Sequence, residues 1–298
     1  MSGDRGGLAR SVQVRLARHA KQIGVDPNLV LTRYAVERFL YRLSRSPYAD
    51  RFVLKGALLL LAWLGDSLRP TRDGDLLGFG ELSDDALVQV FVEVCNVKVE
   101  QDAMMYLADT VSVEPIRVED RYGGHRVTLQ SRLGAARLRV QVDVGFGDVV
   151  TPEPTWLDYP SLLDLPRPRL RAYSRESVMA EKLHAMVVLG SANSRMKDYF
   201  DLHALLRENA FSLEELRRAI AATFERRRTA LPEGVPLGLS DEFARDAAKR
   251  AQWKAFLDKS RLEAPVLEEV VSEIRSLATG SMNAARKAGT VISDTGRQ

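Results

Sequence analysis

Residues 52–80 read FVLKGALLLLAWLGDSLRPTRDGDLLGFG. A short apolar run enters Lys55-Gly56-Ala57, continues as an apolar helix pattern, breaks at Gly65-Asp66, and turns through Arg69-Pro70-Thr71-Arg72 into Asp73-Gly74-Asp75. On an extended segment, two acids one residue apart project to the same face. Like charges so placed repel unless a cation lies between them. Magnesium, which prefers hard oxygen ligands and bridges to phosphates, is the usual one. Two solvated loop acids are the plain alternative. Upstream, the glycine lets the backbone approach another group closely, and the helix start offers free N–H groups to an anion.

Working outward, residues 8–23 have helical periodicity, and Asp26-Pro27 starts a second helix over 27–44, with Arg33, Arg38 and Arg42 expected on a solvated face. Ser83 caps a helix over 86–97. Residues 110–118 alternate as a strand, and Pro115 marks an edge or bulge. Tyr122–His125 reads as a turn. Strands over 126–133 and 136–144, joined at Gly134-Ala135, read as a hairpin. In the second strand Leu138, Val140, Val142 and Val144 share one face, and Arg137, Arg139, Gln141 and Asp143 share the other. Asp143, an acid near the strand end beside glycines, is a third candidate site residue.

Five prolines between 150 and 172 suggest an extended connection, after which the pattern is almost wholly helical. Expected helices are one opened by Ser174 and stopped by Gly190, then 196–209, 212–228, 240–257 and 264–278, with a small polar tail from Thr279. Lys197, Asp198 and Asp201 fall in the first turns of the second of these, where acids suit the helix dipole. The division is 1–150, a proline-rich connection 151–173, a helical lobe 174–280 and a flexible tail 281–298.

The chain has 298 residues, 45% hydrophobic and 28% charged, an ordinary globular composition with a formal charge of +3. The single cysteine, Cys95, sits in an apolar run and reads as a buried thiol; one cysteine makes neither a disulfide framework nor a thiolate metal site within the chain. His19, His125, His184 and His203 lack metal spacing. No run approaches the ~18 apolar residues of a membrane span, and the basic N-terminal stretch has no apolar core of a signal peptide, so the cytoplasm is expected. Basic clusters over 5–21, 167–175 and 217–228 permit a polyanionic partner.

The ordered set FVLKGALLLL, RPTRDGDLLGFG, VQVDVGFGDVVTP, AEKLHAMVVLG and SRMKDYFDL resembles the nucleotidyltransferase toxins of the AbiEii/MenT type, within the DNA polymerase β-like superfamily. That resemblance implies an α+β fold: an N-terminal nucleotidyltransferase domain with a mixed sheet flanked by helices, a mostly helical C-terminal lobe, and a site in the cleft between them. It implies transfer of a nucleotide from a nucleoside triphosphate to the 3′ end of tRNA, which blocks aminoacylation and translation. Carried over, Asp73, Asp75 and Asp143 hold Mg2+ or Mn2+. Lys55 and Gly56 lie beside the triphosphate, and Lys182 lies on its other side. Asp198 acts as a base or positioning group. Arg72 and Lys197 are phosphate contacts, and Asp201 belongs to the nucleotide-binding set. The implied partner is an antitoxin on a separate chain. In some systems it is a kinase that modifies a Ser or Thr beside the paired acids, and Thr71 is the hydroxyl in that place here. The family that the chain resembles usually has a bulky apolar residue where Gly74 stands, so isoleucine there is expected to stiffen the strand. It also commonly has a second Gly or a Ser where Ala57 stands. Other readings are a nucleotidyltransferase acting on a small molecule or protein, and a catalytically degraded module that binds RNA or the antitoxin.

Overall fold

The computed structural model describes residues 2–65, 71–80, 82–116 and 124–295. The described residues divide into two compact units: those up to 147 and 155–172 form the first, and those over 148–154 and from 173 onward the second.

The first unit opens with helices α1 (Ser2–Gln22) and α2 (Pro27–Ser44). The Asp26 side chain caps α2 by accepting from the Asn28 N–H, and Pro27 supplies the preset φ of a first turn. Next come β1 (Phe52–Lys55), α3 (Gly56–Leu64), β2 (Gly74–Gly78) and α4 (Asp84–Cys95), the last capped by Ser83. Strands β3 (Met104–Ile116), β4 (Gly124–Leu133) and β5 (Ala136–Phe146) follow as a meander. The turn between β4 and β5 has Gly134 at φ +59°, which a glycine adopts without steric cost. The turns expected around Arg69–Arg72 and Tyr122–His125 fall partly outside the described residues.

Residues 155–172, expected as part of a connection, belong to this unit and add β6 (Thr155–Asp158) and β7 (Arg169–Ala172). The result is a seven-stranded mixed sheet in the order β3-β4-β5-β2-β1-β7-β6. β2 runs parallel to β5, β1 runs parallel to β7, and the other pairs are antiparallel. β3 is an edge strand, which is what lets Pro115 sit in it.

One face of the sheet packs on helices. Val140, Val142, Val144, Leu76 and Leu54 are buried there. Phe39 of α2, Phe91 of α4, Tyr106 and Phe52 make an aromatic cluster with ring centroids 5.3–6.2 Å apart. Gly74 also faces this side. A Cβ at that position would meet Val36, Val142 and Leu58 side chains at 3.5–3.7 Å, ordinary contact distances. Alanine therefore fits, whereas the isoleucine expected to stiffen the strand adds three carbons beyond a Cβ already in contact with three side chains. Gly74→Ala should raise stability by about 0.4–1 kcal/mol. Gly74→Ile should lower it by about 1–3 kcal/mol through overpacking. Urea denaturation of both variants checks the sign.

The basic face expected on α2 is a correction. Arg38 and Arg42 are buried, not solvated. The Asp102 carboxylate accepts from Arg38 Nε at 3.2 Å and from Arg42 Nη1 and Nη2 at 2.6 and 3.1 Å. Glu37 accepts from Ser161 Oγ and the Leu162 N–H at 2.8 Å each, and Arg38 Nη1 donates to the Pro166 carbonyl at 2.7 Å. Two acids and two arginines balance, as buried charges must. Their spare donors and acceptors tie the segment before β7 onto α2. Cys95 is buried as expected, and burial pushes its thiol up to about 12, which leaves it unreactive.

The second unit is helical: α5 (Arg175–Leu189), α6 (Met196–Glu208), α7 (Leu213–Arg226), α8 (Asp241–Arg245), α9 (Ala247–Ser260) and α10 (Leu267–Thr295). Ser174 and Ser212 cap α5 and α7, and Gly190 ends α5 at φ +50°. Arg227 pairs with Asp148 and Glu181, and Ser177 Oγ donates to the Thr151 carbonyl, so residues 148–154 are held to α5. Two expectations change. The helix expected over 240–257 is broken at Asp246, whose side chain caps α9 by accepting from the Lys249 N–H. The tail expected from Thr279 continues α10 to Thr295, because Ala278, Met282 and Ala285 extend its buried stripe at helical spacing.

Among the described residues, no helix is long and apolar enough to cross a membrane.

Candidate active site

The register of the sheet brings together candidate site residues of the first unit. Lys55 on β1 pairs with Asp75 on β2, Asp75 pairs with Asp143 on β5, Asp143 pairs with Arg126 on β4, and Arg126 pairs with Glu114 on β3. Residues opposite one another in register share a face. One row across five strands thus carries Glu114, Arg126, Asp143, Asp75 and Lys55. Charges alternate along it except at the centre, where two carboxylates are neighbours on adjacent strands about 4.8 Å apart. Asp73 lies one residue before β2, exposed and spaced to share the face of Asp75.

Gly56 begins α3 at φ +69°. A Cβ there would meet Asp75 Oδ2 at 2.0 Å, Cγ at 2.5 Å and Cβ at 2.6 Å. The Asp75 carboxylate therefore lies directly over the first residue of α3. The Lys55 side chain crosses β2: a Cβ at Gly145 on β5 would meet Lys55 Nζ at 3.5 Å. Two glycines, one beside each charged group, thus leave the space these side chains occupy.

Arg126 has no counterpart among the residues singled out from the sequence. Its Nε and Nη2 donate to Asp143 Oδ1 and Oδ2 at 2.8 and 2.7 Å, a bidentate pair. The bonds to Asp143 hold the guanidinium proton more tightly than usual, and Asp73 adds to the effect. The only local signal for Arg126 is its place on the polar face of an alternating strand.

Among the described residues, no three His, Cys, Asp or Glu side chains are already gathered as a metal cage. The donor chemistry of Asp73, Asp75 and Asp143 still fits a hard divalent cation. All are carboxylates, and the adjacent pair at the centre of the row is the one like-charge contact in it. Arg72 is exposed and Thr71 half-buried, just before Asp73.

The remaining candidates lie in the second unit. Lys182 Nζ on α5 donates to Asp198 Oδ1 and Asp201 Oδ2 on α6, both at 2.8 Å. Arg195 Nε stands 2.9 Å from Asp198 Oδ2. Both aspartates are buried. Burial works against the Lys182 ammonium, but the two carboxylates outweigh it and hold its proton more tightly than usual. Burial likewise works against the Asp198 anion, and Lys182 and Arg195 outweigh it, so Asp198 stays ionised below the usual carboxylate range. Lys197 is exposed on the same helix.

A family model described as the nucleotidyl transferase AbiEii toxin, of type IV toxin–antitoxin systems, matches residues 38–273. The chain belongs to the AbiEii nucleotidyltransferase toxin family. Every residue of both charged clusters lies within the matched AbiEii span. The fold agrees with that of MenT4, a nucleotidyltransferase toxin from Mycobacterium tuberculosis H37Rv. The TM-score is 0.57 at 19% identity over 91% of this chain and 89% of that one. A putative nucleotidyltransferase from H. pylori aligns at 16% identity over 89% and 99% of the two chains, with a TM-score of 0.48. A search of curated protein sequences gives no match.

Proposed function

We propose that this AbiEii-family chain transfers a nucleotide from a nucleoside triphosphate to the 3′ end of tRNA, which blocks aminoacylation and so translation. The observation that carries the reading is the charged row, in which two acids meet at the centre and cations flank them. Asp73, Asp75 and Asp143 would hold Mg2+ or Mn2+, which when bound neutralises triphosphate charge and favours the leaving pyrophosphate. Lys55, lying over β2 toward Gly145, offsets charge on the phosphates from the protein side. Gly56 keeps the backbone of the first turn of α3 open to Asp75 and to an anion. Arg126 fixes the plane of the Asp143 carboxylate. Arg72 and Lys197, both exposed, serve as phosphate contacts.

In the helical unit Asp198, kept ionised by Lys182 and Arg195, is a weak base. We assign it to positioning and electrostatics rather than to proton removal, with Lys182 and Asp201 holding its place. The cognate antitoxin is a separate protein.

The test is incubation with each labelled nucleoside triphosphate, magnesium and total tRNA, with and without EDTA. Label is expected at the tRNA 3′ end with at least one nucleotide, and EDTA should remove it. Label entering protein or a small molecule, or no transfer with any nucleotide, would refute the reading.

A further inference from the structure

The sheet face that carries the acidic site continues along β4 and β5 beyond it. From Asp143 the face runs back through Gln141, Arg139 and Arg137 on β5, and from Arg126 through Thr128, Gln130 and Arg132 on β4. At about 3.3 Å per residue, Arg139 lies about 13 Å from Asp143 and Arg137 about 20 Å. Arg132, Arg137 and Arg139 are all exposed. Arg132 and Arg137 are direct cross-strand partners, an arrangement in which like charges destabilise a sheet. Among the described residues, none of the three side chains makes a hydrogen bond or ion pair. Their in-register neighbours on β3 are Met105 and Leu107, so no acid stands opposite them. The acid of that edge strand, Glu114, faces Arg126 at the other end of the face, and Asp109 lies in the irregular stretch where the β3–β4 register shifts.

A sheet that sets arginines side by side without a counter-ion bears a cost that an external anion relieves. An anion here must satisfy three charges spread along a strand that leads to the acids. We infer that the exposed face of β4 and β5 binds the sugar–phosphate backbone of the RNA acceptor, with Arg132, Arg137 and Arg139 as phosphate contacts that lead its end toward Asp75 and Asp143. The inference rests on the proposed transfer to RNA and adds where the RNA lies. Gln130, exposed, and Gln141, half-buried, interleave with the arginines and offer neutral donors to sugar and phosphate oxygens.

The test compares wild type with R132Q/R137Q/R139Q and R132K/R137K/R139K. Total tRNA binding is measured across a salt series, together with triphosphate binding and transfer kinetics. Each phosphate contact contributes about 0.7–0.9 to the slope of log K against log salt. The glutamine variant should lose about two to three from that slope, bind tRNA at least about tenfold more weakly at low salt, show a raised KM for tRNA, and bind triphosphate as wild type does. The lysine variant should keep the slope, which separates charge from fold. Wild-type affinity and slope in the glutamine variant, while wild type still labels tRNA, would overturn this surface and leave the transfer reading standing. A wild type that neither binds tRNA nor labels it would overturn both. A glutamine variant that keeps tRNA but loses an acidic protein partner would make the face a protein interface and overturn the inference.

Discussion

Gly56→Ala is expected to lower nucleotide transfer by about 100-fold or more, although it adds a single methyl group far smaller than any charged side chain of the site. The methyl would lie 2.0 Å from Asp75 Oδ2, and also within 2.6 Å of Asp75 Cγ and Cβ. Rotating the carboxylate relieves the first contact and not the last, because Cβ moves only with the backbone. Either β2 or the start of α3 has to shift. A displacement of about 1 Å at a reacting centre costs on the order of 100-fold. The φ of +69° at this position adds strain for any residue with a side chain, on the order of 1–3 kcal/mol. Asp75→Asn is the complement, since it keeps the shape and removes the charge. It should lower transfer by a similar factor, about 10²-fold or more, without the backbone strain. The measurement is initial rate of labelled nucleotide entering tRNA, paired with urea denaturation. Transfer within twofold of wild type in Gly56→Ala would show that the close approach of Asp75 to α3 has no part in the reaction.

The contrast between Gly56 and Arg126 shows what a sequence discloses. Lys55-Gly56 and Asp73-Gly74-Asp75 are legible because both are short-range patterns: a glycine at a strand-to-helix turn, and two acids at the strand period. The hairpin of β4 and β5 is legible for the same reason, and so are the serine caps of α4, α5 and α7. What depends on strand order is not. That Asp143 stands beside Asp75 follows from β5 pairing in parallel with β2, with paired residues 68 apart in the chain. That Arg126 grips Asp143 follows from the hairpin register, which sets the two residues opposite one another.

Arg38 and Arg42 mislead in the opposite sense. A helix with arginines at i and i+4 looks solvated until Asp102, 60 residues beyond Arg42, is brought against it. Strands β6 and β7 are four residues each and separated by prolines, too short for an alternation to register. Their place in the sheet comes from Glu37 and Arg38 bonding the backbone between them, a long-range cause with no local trace.

The second large effect is expected from Lys182→Met, and it concerns stability first. Lys182, Arg195, Asp198 and Asp201 together are neutral, and the two aspartates are 2% and 0% exposed. Methionine fills the lysine stem and removes the ammonium that both carboxylates share. Breaking a buried pair by removing one partner costs about 3–5 kcal/mol. The pH dependence should then change sign on the acid side. In wild type the Asp198 proton affinity is lowered, so its contribution is present above the ordinary value of 3.8 and is lost as pH falls through the lowered one. The Lys182 proton affinity is raised, so its contribution is complete below the ordinary 10.5 and is lost only as pH rises through the raised one. Wild type therefore holds a plateau between these limits. Without the ammonium, the burial of Asp198 works toward its protonation with less to oppose it, so the variant should recover stability as pH falls from 7 toward 4. Asp201→Asn added to Lys182→Met should recover part of the loss at pH 7, since it removes one of the two buried carboxylates that have lost the ammonium. Urea denaturation of the three proteins at pH 4, 5.5, 7 and 9 decides the point. A Lys182→Met variant with wild-type stability at pH 7, or one that weakens on acidification as wild type does, would show that Lys182 does not hold Asp198 in its charged form.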